Sequence, residues 1–319
     1  MHYRRLGKSG LKVSEIALGA WLTFGNQIDE DTAIKLVHAA YEQGVNFFDN
    51  ADAYAGGKAE IVMGKAIQGI PREELVISSK VFFPTMQGPN GRGLSRKHIR
   101  ESIHATLRRL GTEYIDIYYC HRFDPDTPIE EVVRTMDDLI HEGKIFYWGT
   151  SEWEAQQVVQ AYGIAKQLGL NSPSVEQPHY NLFHRKRVED ELAPLCKEFG
   201  LGLTTFSPLF SGILSGKYND GIPEGSRATL SDVPWIRSQI TPKRIAVVRQ
   251  LTQIAQSFGF TTAQLAIAWI LRRKDISAVI TGASRAEQLD ENLIAPEVLP
   301  FLTDSVLEQI DRITLDVSG

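Results

Sequence analysis

The chain has 319 residues, of which 43% are hydrophobic and 23% charged, and its formal net charge is −5. This composition is typical of a folded globular protein and excludes a largely disordered chain. A net acidic chain also lacks the basic excess by which nucleic-acid-binding proteins hold phosphates, so no nucleic-acid partner is expected.

The cysteine content and the apolar runs indicate the environment of the protein. Cys120 and Cys196 are far apart in sequence, which argues against a disulfide scaffold or a zinc site and fits a reducing compartment. No apolar run approaches the ~18 residues needed to span a membrane, and the N-terminus lacks the apolar core of a signal peptide. We therefore expect a cytoplasmic protein that does not insert into a membrane.

Short apolar runs rich in β-branched and aromatic residues alternate with amphipathic stretches, the pattern of a parallel sheet with return helices. The runs begin at Glu15, Val45, Leu75, Ile115, Ile145, Ser174, Gly202 and Ser277. The first seven start about thirty residues apart, which is the length of one βα unit. Eight units predict a closed (β/α)8 TIM barrel that forms a single domain over residues 1–319.

Two segments depart from this repeat. The opening stretch YRRLGKSGLKVS predicts a β-hairpin that turns around residues 8–10 and closes the bottom of the barrel. A long insertion of loop and helix separates the seventh and eighth strands and includes the loop-like residues 218–235. Loops of this length in compact domains are usually functional, so we expect this one to take part in the site.

The helices between the strands have recognisable borders. In SRKHIRESIHATLRRLG, Ser95 is expected to cap the start of a helix and Gly111 to end it. The charged run HRKRVEDE, residues 184–191, is expected to be the solvated start of another helix. In DEDTAIKLVHAAYEQG, the predicted buried stripe consists of Ile34, Val37 and Tyr41.

Four polar residues fall at or just beyond the ends of three consecutive predicted strands. Asp49 ends the second strand with Tyr54 in the loop after it, Lys80 ends the third, and His121 ends the fourth. In a (β/α)8 barrel the chemistry lies at these carboxyl ends, and neighbouring strands are only about 5 Å apart. Each residue alone could be a cap, a half-buried aromatic, a solvated strand end or a core histidine. Their coincidence on successive strands predicts an active site.

The residue types indicate acid-base chemistry on a carbonyl group. A nearby Lys80 ammonium would lower the pKa of Tyr54, Asp49 would keep Lys80 charged, and His121 would orient the oxygen that Tyr54 protonates. No GxSxG, HExxH or paired catalytic carboxylate is present, so neither a nucleophile nor a metal is expected. The hydride would then come from a nicotinamide cofactor.

An anion site is expected after the eighth strand, although the GxGxxG fingerprint of dinucleotide-binding folds is absent. The segment ITGASRAEQLDEN leads from strand to helix, so backbone N–H groups near residues 283–285 could hold a phosphate, with Arg285 at the helix start. Lys217 and Arg227 from the insertion could add positive charge. The alternative, a plain helix cap, stays open at this point.

Aromatic residues are expected to wall the substrate pocket. Trp21, Phe82, Phe83 and Phe210 lie on segments that follow strand ends, and Tyr54 and His121 would face them. This lining predicts a small apolar or aromatic aldehyde or ketone as substrate. It offers no evident anchor for a small charged substrate.

Seven motifs occur in order along nearly the whole chain: YRRLGKSGLKVS, DNADAYAGGKAEIVMG, GLSRKHIRESI, RFDPDTPIEEVVRTMDDLIHEGK, YWGTSEW, SPLFSGILSGKY and GASRAEQLDEN. In order and spacing they resemble the aldo-keto reductase superfamily, most closely its branch of potassium-channel β subunits and their microbial and plant relatives. The resemblance implies an NADPH-dependent carbonyl reductase whose catalytic tetrad is Asp49, Tyr54, Lys80 and His121.

The resemblance also implies a set of cofactor contacts, in which Phe206 stacks on the nicotinamide. These residues are Trp21, Gln27, Asp49, Ser151, Gln177, Phe206, Ser207, Pro208, Leu209, Ser211, Lys217, Arg227, Gly282, Ser284, Gln288, Glu291 and Asn292. The channel subunits carry Trp in place of Phe206 and Asn in place of His121. At its fourth tetrad position this chain is similar to the ordinary reductases of the superfamily.

Two functions remain open from the sequence. The first is an enzyme that reduces aldehydes and some ketones with NADPH. The second is a redox-sensing regulatory subunit that keeps NADPH bound and docks on a membrane channel or transporter. Whether the chain forms a homo-oligomer is also open.

Overall fold

Eight parallel strands form a closed barrel in the computed structural model, which describes residues 1–230 and 233–317. They are β3 (Ile16–Gly19), β4 (Phe47–Asp49), β5 (Val76–Val81), β6 (Ile115–Cys120), β7 (Ile145–Ser151), β8 (Val175–Gln177), β9 (Gly202–Thr205) and β10 (Ile276–Thr281). The strands pair in chain order, and β10 closes the ring on β3 with Val279 opposite Ile16. The predicted (β/α)8 barrel is confirmed, and all eight strands overlap the predicted runs, with β5 ending one residue later and β10 beginning one residue earlier than predicted. That residues 1–319 form a single domain stays a prediction.

Helices surround the barrel and cover its outer face. They are α1 (Glu30–Glu42), α2 (Lys58–Ala66), α3 (Arg96–Leu110), α4 (Ile129–His141), α5 (Ala155–Leu168), α6 (Ala193–Phe199), α7 (Trp235–Gln239), α8 (Pro242–Ser257), α9 (Thr262–Leu271), α10 (Ala286–Leu293) and α11 (Asp304–Thr314). The Oγ of Ser95 accepts from the N–H of His98 at the start of α3, and Gly111 ends it with a φ of 66°, as predicted.

The buried face of α1 differs from the predicted stripe. Ile34 and Tyr41 are only half buried, and the residues that face the barrel are Ala33, Leu36, Val37 and Ala40. These four follow the i, i+3, i+4, i+7 pattern of one helix face. The prediction is confirmed for Val37, and Ile34 and Tyr41 pack at the edge of the core, but the small Ala33 and Ala40 of the buried face were missed.

An N-terminal hairpin closes the end of the barrel opposite the strand carboxyl ends. Its strands are β1 (Tyr3–Arg5) and β2 (Lys12–Ser14), and the adjoining Leu6 and Val13 pack with Phe47 inside the barrel. Gly7 has a φ of 56°, and a Cβ there would lie 2.3 Å from the carbonyl oxygen of Gly200, just before β9. The predicted closure of the barrel bottom is confirmed, and only glycine fits this contact.

The predicted insertion separates β9 from β10 and contains both turns and helices. Two short 3-10 helices, Phe210–Ser215 and Arg227–Thr229, precede α7, α8 and α9. All ten residues of α9 are buried, so the insertion is anchored to the barrel by an apolar helix. Residues 223–227 and Trp235 of this insertion lie over the carboxyl ends of the strands, where they line the cavity described below.

Candidate active site

The strand register brings the predicted acid-base residues together. Asp49 is the last residue of β4 and lies opposite Ser78 of β5. Lys80 lies opposite Tyr119 of β6, and His121 directly follows that strand. The three strands are consecutive in the barrel, so their charged and polar residues meet at one edge.

A buried ion pair forms the centre of this cluster. The Lys80 Nζ donates to Asp49 Oδ2 at 2.6 Å and to the carbonyl oxygen of Asn50 at 2.6 Å. Lys80 is fully buried, and Asp49 Oδ1 accepts from Ser78 Oγ at 2.7 Å and from Gln177 Nε2 at 3.0 Å. Because both charges are paired and hydrogen-bonded, the cost of burying them is offset within the chain.

Tyr54 joins the ion pair through the third N–H of Lys80. The distance from Lys80 Nζ to Tyr54 Oη is 3.2 Å, and the ammonium also lies 4.9 Å from the centre of the phenol ring. Tyr54 begins a tight turn in which Ala55 has a φ of 49° and Gly56 and Gly57 also have positive φ. This turn leads into α2 and points the hydroxyl back toward β5.

Burial and charge have opposing effects on the pKa values of this cluster. Burial opposes the charge of Lys80, but the Asp49 carboxylate and the Tyr54 hydroxyl outweigh it, so the pKa of Lys80 is raised and it stays charged. Burial also raises the pKa of Tyr54, and the Lys80 ammonium offsets only part of that rise. The lowered pKa expected for Tyr54 from Lys80 alone is thus reversed by burial. Tyr54 keeps its proton at neutral pH and is available as a donor.

His121 lies against Tyr54 as a neutral imidazole. The two ring centres are 5.8 Å apart in an edge-on arrangement, and Phe83 packs edge-on against the other side of His121 at 4.9 Å. Burial, together with the charges of Lys80 and Arg122, lowers the pKa of His121 well below its usual range. A neutral imidazole carries one N–H, so His121 can donate a single hydrogen bond to a group beside Tyr54.

A cavity of about 880 Å³ opens beside this cluster at the carboxyl ends of the strands. Its walls include Tyr54, His121 and Phe83 together with every residue that the sequence analysis proposed for the cofactor. These are Trp21, Gln27, Asp49, Ser151, Gln177, Phe206, Ser207, Pro208, Leu209, Ser211, Lys217, Arg227, Gly282, Ser284, Arg285, Gln288, Glu291 and Asn292. The volume is within the range of pockets that bind cofactors and small ligands.

The part of the cavity formed by the insertion and α10 carries the cations Lys217, Arg227 and Arg285, together with the carboxylates of Glu224 and Glu291. Burial, with Arg227 and Arg285 nearby, lowers the pKa of Lys217 to about 8. Neither Lys217 nor Arg227 forms an ion pair with any residue in the described ranges. The N–H and Oγ of Ser284 contact Gln288 Oε1 at 2.9 and 3.0 Å, so the N–H expected to be free for an anion is already bonded to a side chain.

Glycines leave room around these cations. A Cβ at Gly212 would lie 2.6 Å from Lys217 Nζ, and one at Gly282 would lie 3.2 Å from Arg227 Nη2. Both glycines line the cavity. The chain therefore approaches the cations closely without filling the space beside them, as a site for phosphate groups requires.

Two residues of the predicted substrate pocket lie elsewhere. Phe82 does not line the cavity; it packs edge-on behind Phe83 at 5.3 Å. Phe210 is buried against Phe183 at 5.6 Å, with the guanidinium of Arg244 lying 5.0 Å from its ring. The cavity wall thus does not include these two predicted residues: the Phe82 ring packs on Phe83 instead, and the chain turns sharply at Phe210, whose φ is 45°.

Several cavity residues escaped the sequence analysis. They are Gly19, Ala53, Arg122, Gly212, Ser215, Pro223, Glu224, Gly225, Ser226, Trp235, Ala263, Ile280 and Thr281. Arg122 directly follows the predicted His121, and its position after a strand end was a usable indication. The contribution of residues 223–226 and Trp235 depends on how the long insertion folds over the barrel, which residue pattern does not reveal.

No group of three or more His, Cys, Asp or Glu residues is arranged to hold a metal ion within residues 1–230 and 233–317. In the same ranges no single helix is long and apolar enough to cross a membrane, and only the pair α8 and α9, bent by 87°, meets that criterion jointly.

The fold and the site define an α/β barrel whose cavity combines an acid-base cluster with a group of cations. The sequence model described as the aldo/keto reductase family matches residues 15–314. The chain therefore belongs to the aldo/keto reductase family.

Two plant proteins are similar over nearly the whole chain. A probable voltage-gated potassium channel subunit beta of Arabidopsis thaliana is 50% identical over 317 residues, covering 98% of this chain and 96% of its own. A protein of the same description from Oryza sativa subsp. japonica is 48% identical with the same coverage. The expected resemblance to this branch of the family is confirmed.

Proposed function

We propose that the protein is an NADPH-dependent carbonyl reductase that converts aldehydes and some ketones to alcohols. The observation that supports this most directly is the Lys80 ammonium, bonded to both Asp49 and Tyr54 at the edge of the cavity. A buried cation beside a protonated phenol is suited to donating a proton and stabilising the phenolate that remains.

The volume and the cations of the cavity would accommodate an NADPH molecule. Lys217 and Arg227, which lack carboxylate partners in the described ranges, would bind its phosphate groups with Arg285 and Ser284. Phe206, whose ring stacks on His179 at 5.1 Å, would present its cavity side to the nicotinamide. Bound NADPH supplies a hydride to the carbonyl carbon of the substrate. Because charge-assisted contacts to a 2′-phosphate contribute about 1.5–3 kcal/mol each, we expect weaker binding of NADH.

The chain itself supplies the proton and the orientation. Tyr54 donates its Oη proton to the carbonyl oxygen, and the oxygen becomes the hydroxyl of the alcohol. Lys80 stabilises the resulting phenolate, and Asp49 keeps Lys80 charged and in place. His121 donates its hydrogen bond to the same carbonyl oxygen and thereby holds it beside Tyr54. Solvent then returns a proton to Tyr54.

The substrate pocket has an aromatic wall. Trp21 and Phe83 line the cavity close to Tyr54 and His121, which favours an aldehyde or ketone with an apolar or aromatic body. A cytoplasmic location stays a prediction, as does the absence of a nucleic-acid partner, and a homo-oligomer remains open.

A second candidate function is supported by the relatives. Both plant proteins are described as probable subunits of a voltage-gated potassium channel. By analogy, this chain would keep NADPH bound as a redox-sensing regulatory subunit and dock on a membrane channel or transporter. His121 favours the enzyme, because a histidine beside Tyr54 provides the hydrogen bond that orients a carbonyl group.

Steady-state NADPH oxidation with a panel of aldehydes tests the proposal. We expect wild-type protein to reduce an aromatic aldehyde such as 4-nitrobenzaldehyde with a turnover of about 1 per second or more, the lower end of ordinary enzymes. Tyr54→Phe is the matched control for background oxidation. Turnover no faster than that of Tyr54→Phe, with NADPH still bound, would reject the enzyme and favour the regulatory subunit.

A further inference from the structure

Arg122 is a cation of the cavity that the proposed reaction does not use. It follows His121 directly, lines the cavity, and its Nη1 donates a short hydrogen bond to the carbonyl oxygen of His121. Its guanidinium lies 5.5 Å from the centre of the Phe83 ring. Phe83 in turn packs on His121, so Arg122 belongs to the catalytic end of the cavity.

No carboxylate forms an ion pair with Arg122 among residues 1–230 and 233–317. Several other half-buried arginines have such partners: Arg4 with Glu15, Arg72 with Asp116, Arg109 with Glu60, and Arg187 with Glu152 and Glu176. A half-buried guanidinium without a carboxylate partner carries a desolvation cost that a bound anion would relieve. Arg122 thus resembles Lys217 and Arg227, which line the opposite end of the same cavity.

The charge of Arg122 acts on the reacting groups. It is one of the causes that lower the pKa of His121, after burial and Lys80, and it also favours the charged form of Tyr54. Its position therefore lies within electrostatic reach of the carbonyl that Tyr54 and His121 hold. An anionic group on the carbonyl substrate could therefore reach Arg122 from the same cavity.

We propose that Arg122 binds a carboxylate on the carbonyl substrate, so that the enzyme prefers aldehydes bearing a carboxylate over neutral aldehydes of the same shape. This inference rests on the proposed reductase function. It replaces the expectation that the pocket has no anchor for a small charged substrate. The planar guanidinium fork matches a carboxylate with two parallel hydrogen bonds, which makes Arg122 a specificity-determining residue.

The spacing of the rings indicates the length of such a substrate. The ring centre of Phe83 lies 4.9 Å from that of His121 and 5.5 Å from the Arg122 guanidinium, so one ring separates the imidazole from the guanidinium on the Phe83 side. One aromatic ring or a short carbon chain between the aldehyde and the carboxylate spans a separation of this size. 4-Carboxybenzaldehyde meets the requirement, and 4-carbamoylbenzaldehyde is its neutral counterpart of nearly equal shape.

The kinetic test compares kcat/KM for these two aldehydes. We expect the wild type to prefer the carboxylate by about tenfold or more, through a lower KM, since one charge-assisted pair contributes on that scale. In Arg122→Met the ratio of the two kcat/KM values should fall to about one. Arg122→Lys, which keeps the charge but not the fork, should retain part of the preference. Arg92→Met is the matched control, because Arg92 is exposed near Phe82, outside the cavity.

A binding measurement gives a readout separate from turnover. Calorimetric titration of the NADP⁺-loaded protein measures the Kd for the two alcohol products, 4-(hydroxymethyl)benzoate and 4-(hydroxymethyl)benzamide. We expect the benzoate to bind about tenfold tighter to the wild type and to lose this advantage in Arg122→Met, with folding checked by circular dichroism. The advantage should also shrink in high salt.

The outcomes separate this inference from the function on which it rests. If the wild type reduces both aldehydes with equal kcat/KM, the carboxylate preference is wrong while the reductase stands. If both Arg122→Met and Arg122→Lys keep the full preference for the carboxylated aldehyde, another group binds the carboxylate and the assignment of Arg122 is wrong. If the wild type reduces neither aldehyde, both the reductase and the inference fail.

Discussion

Two lysines of the same cavity region behave in opposite ways. Lys80 is fully buried, whereas Lys217 is exposed at the cavity wall, and the pKa of Lys80 is raised while that of Lys217 is lowered to about 8. Lys80 has the Asp49 carboxylate at 2.6 Å, whereas the charges nearest to Lys217 are the cations Arg227 and Arg285. Burial alone would lower the pKa of both lysines, so the charge of the neighbouring groups decides whether each pKa is raised or lowered.

This difference indicates that one part of the cavity is arranged for catalysis and the other for binding the cofactor. At the catalytic end, all three N–H groups of Lys80 bond to atoms of the chain, so the charge is held in place before any ligand arrives. At the other end, the described residues supply no counter-charge to Lys217, and the phosphates of a cofactor would have to do so. The fixed charge of Lys80 is thus suited to stabilising the reacting groups, and the unpaired charge of Lys217 is suited to binding an anion.

Removing the charge of Lys80 should have the largest effect. Lys80→Met leaves the buried Asp49 without its cation, which should lower the free energy of unfolding by about 3–5 kcal/mol. Activity should fall about 1,000-fold, because the phenolate of Tyr54 loses its stabilising charge. Urea unfolding and aldehyde reduction measure the two effects.

A double variant separates the two effects of that change. Asp49→Asn in the Lys80→Met background removes the uncompensated carboxylate, so it should restore part of the stability and none of the activity. If the double variant also recovered aldehyde reduction, the assigned role of Lys80 would be wrong.

The corresponding change at the other end should affect binding alone. Lys217→Met should raise the Kd for NADPH by about 10- to 100-fold, since one or two charge-assisted bonds to phosphate are lost. Stability should not fall, because Lys217 has no ion pair within the described ranges to lose. Fluorescence quenching gives the Kd, and Lys274→Met, a change of an exposed lysine, is the control. An unchanged Kd would show that Lys217 does not bind the cofactor.

His121 allows the catalytic end to be weakened without changing its charge. His121→Asn should lower kcat/KM for an aromatic aldehyde by about 10- to 100-fold, because the amide N–H reaches a different position. The fold and the Kd for NADPH should be retained. Steady-state kinetics with a parallel melting curve checks both. An unaltered kcat/KM in a folded variant would remove His121 from the reaction and strengthen the case for a regulatory subunit.

The titration of Lys217 should appear in cofactor binding. Its pKa of about 8 in the free protein means that the charge is present below that pH and is lost as the pH rises through it. NADPH affinity should therefore fall by roughly tenfold between about pH 7 and pH 9. Lys217→Met should show a much flatter profile, and a wild-type profile as flat as that of the variant would contradict the assignment.

The barrel and its tetrad could be predicted because both depend on local sequence. Apolar runs define the strands, and Asp49, Lys80 and His121 stand out where those runs end. The direction of a side chain after a strand depends on tertiary packing. For this reason the sequence did not reveal that Phe82 and Phe210 lie outside the cavity wall. Neighbouring residues in sequence do not reveal the packing that decides it.

The charged run at residues 184–191 illustrates the same limit. The sequence predicted a solvated helix start, but Arg187 forms ion pairs with Glu152 and the fully buried Glu176. The two carboxylates come from β8 and from the residue after β7, so the partners of Arg187 are distant in sequence. Pairing of this kind follows only from the closed barrel.

The central claim is that different residues of the cavity carry out catalysis and bind the cofactor. Single-turnover reduction of an aromatic aldehyde, with the Kd for NADPH measured on the same samples, tests this claim most directly. At saturating NADPH, Tyr54→Phe should reduce the rate by at least about 100-fold and leave the Kd nearly unchanged, because general acid catalysis contributes on that scale. Lys217→Met should raise the Kd and leave the saturated rate within about threefold of wild type. If Tyr54→Phe retained a tenth of the wild-type rate, or if Lys217→Met slowed the saturated step as strongly, the proposed separation of catalysis from cofactor binding would be contradicted.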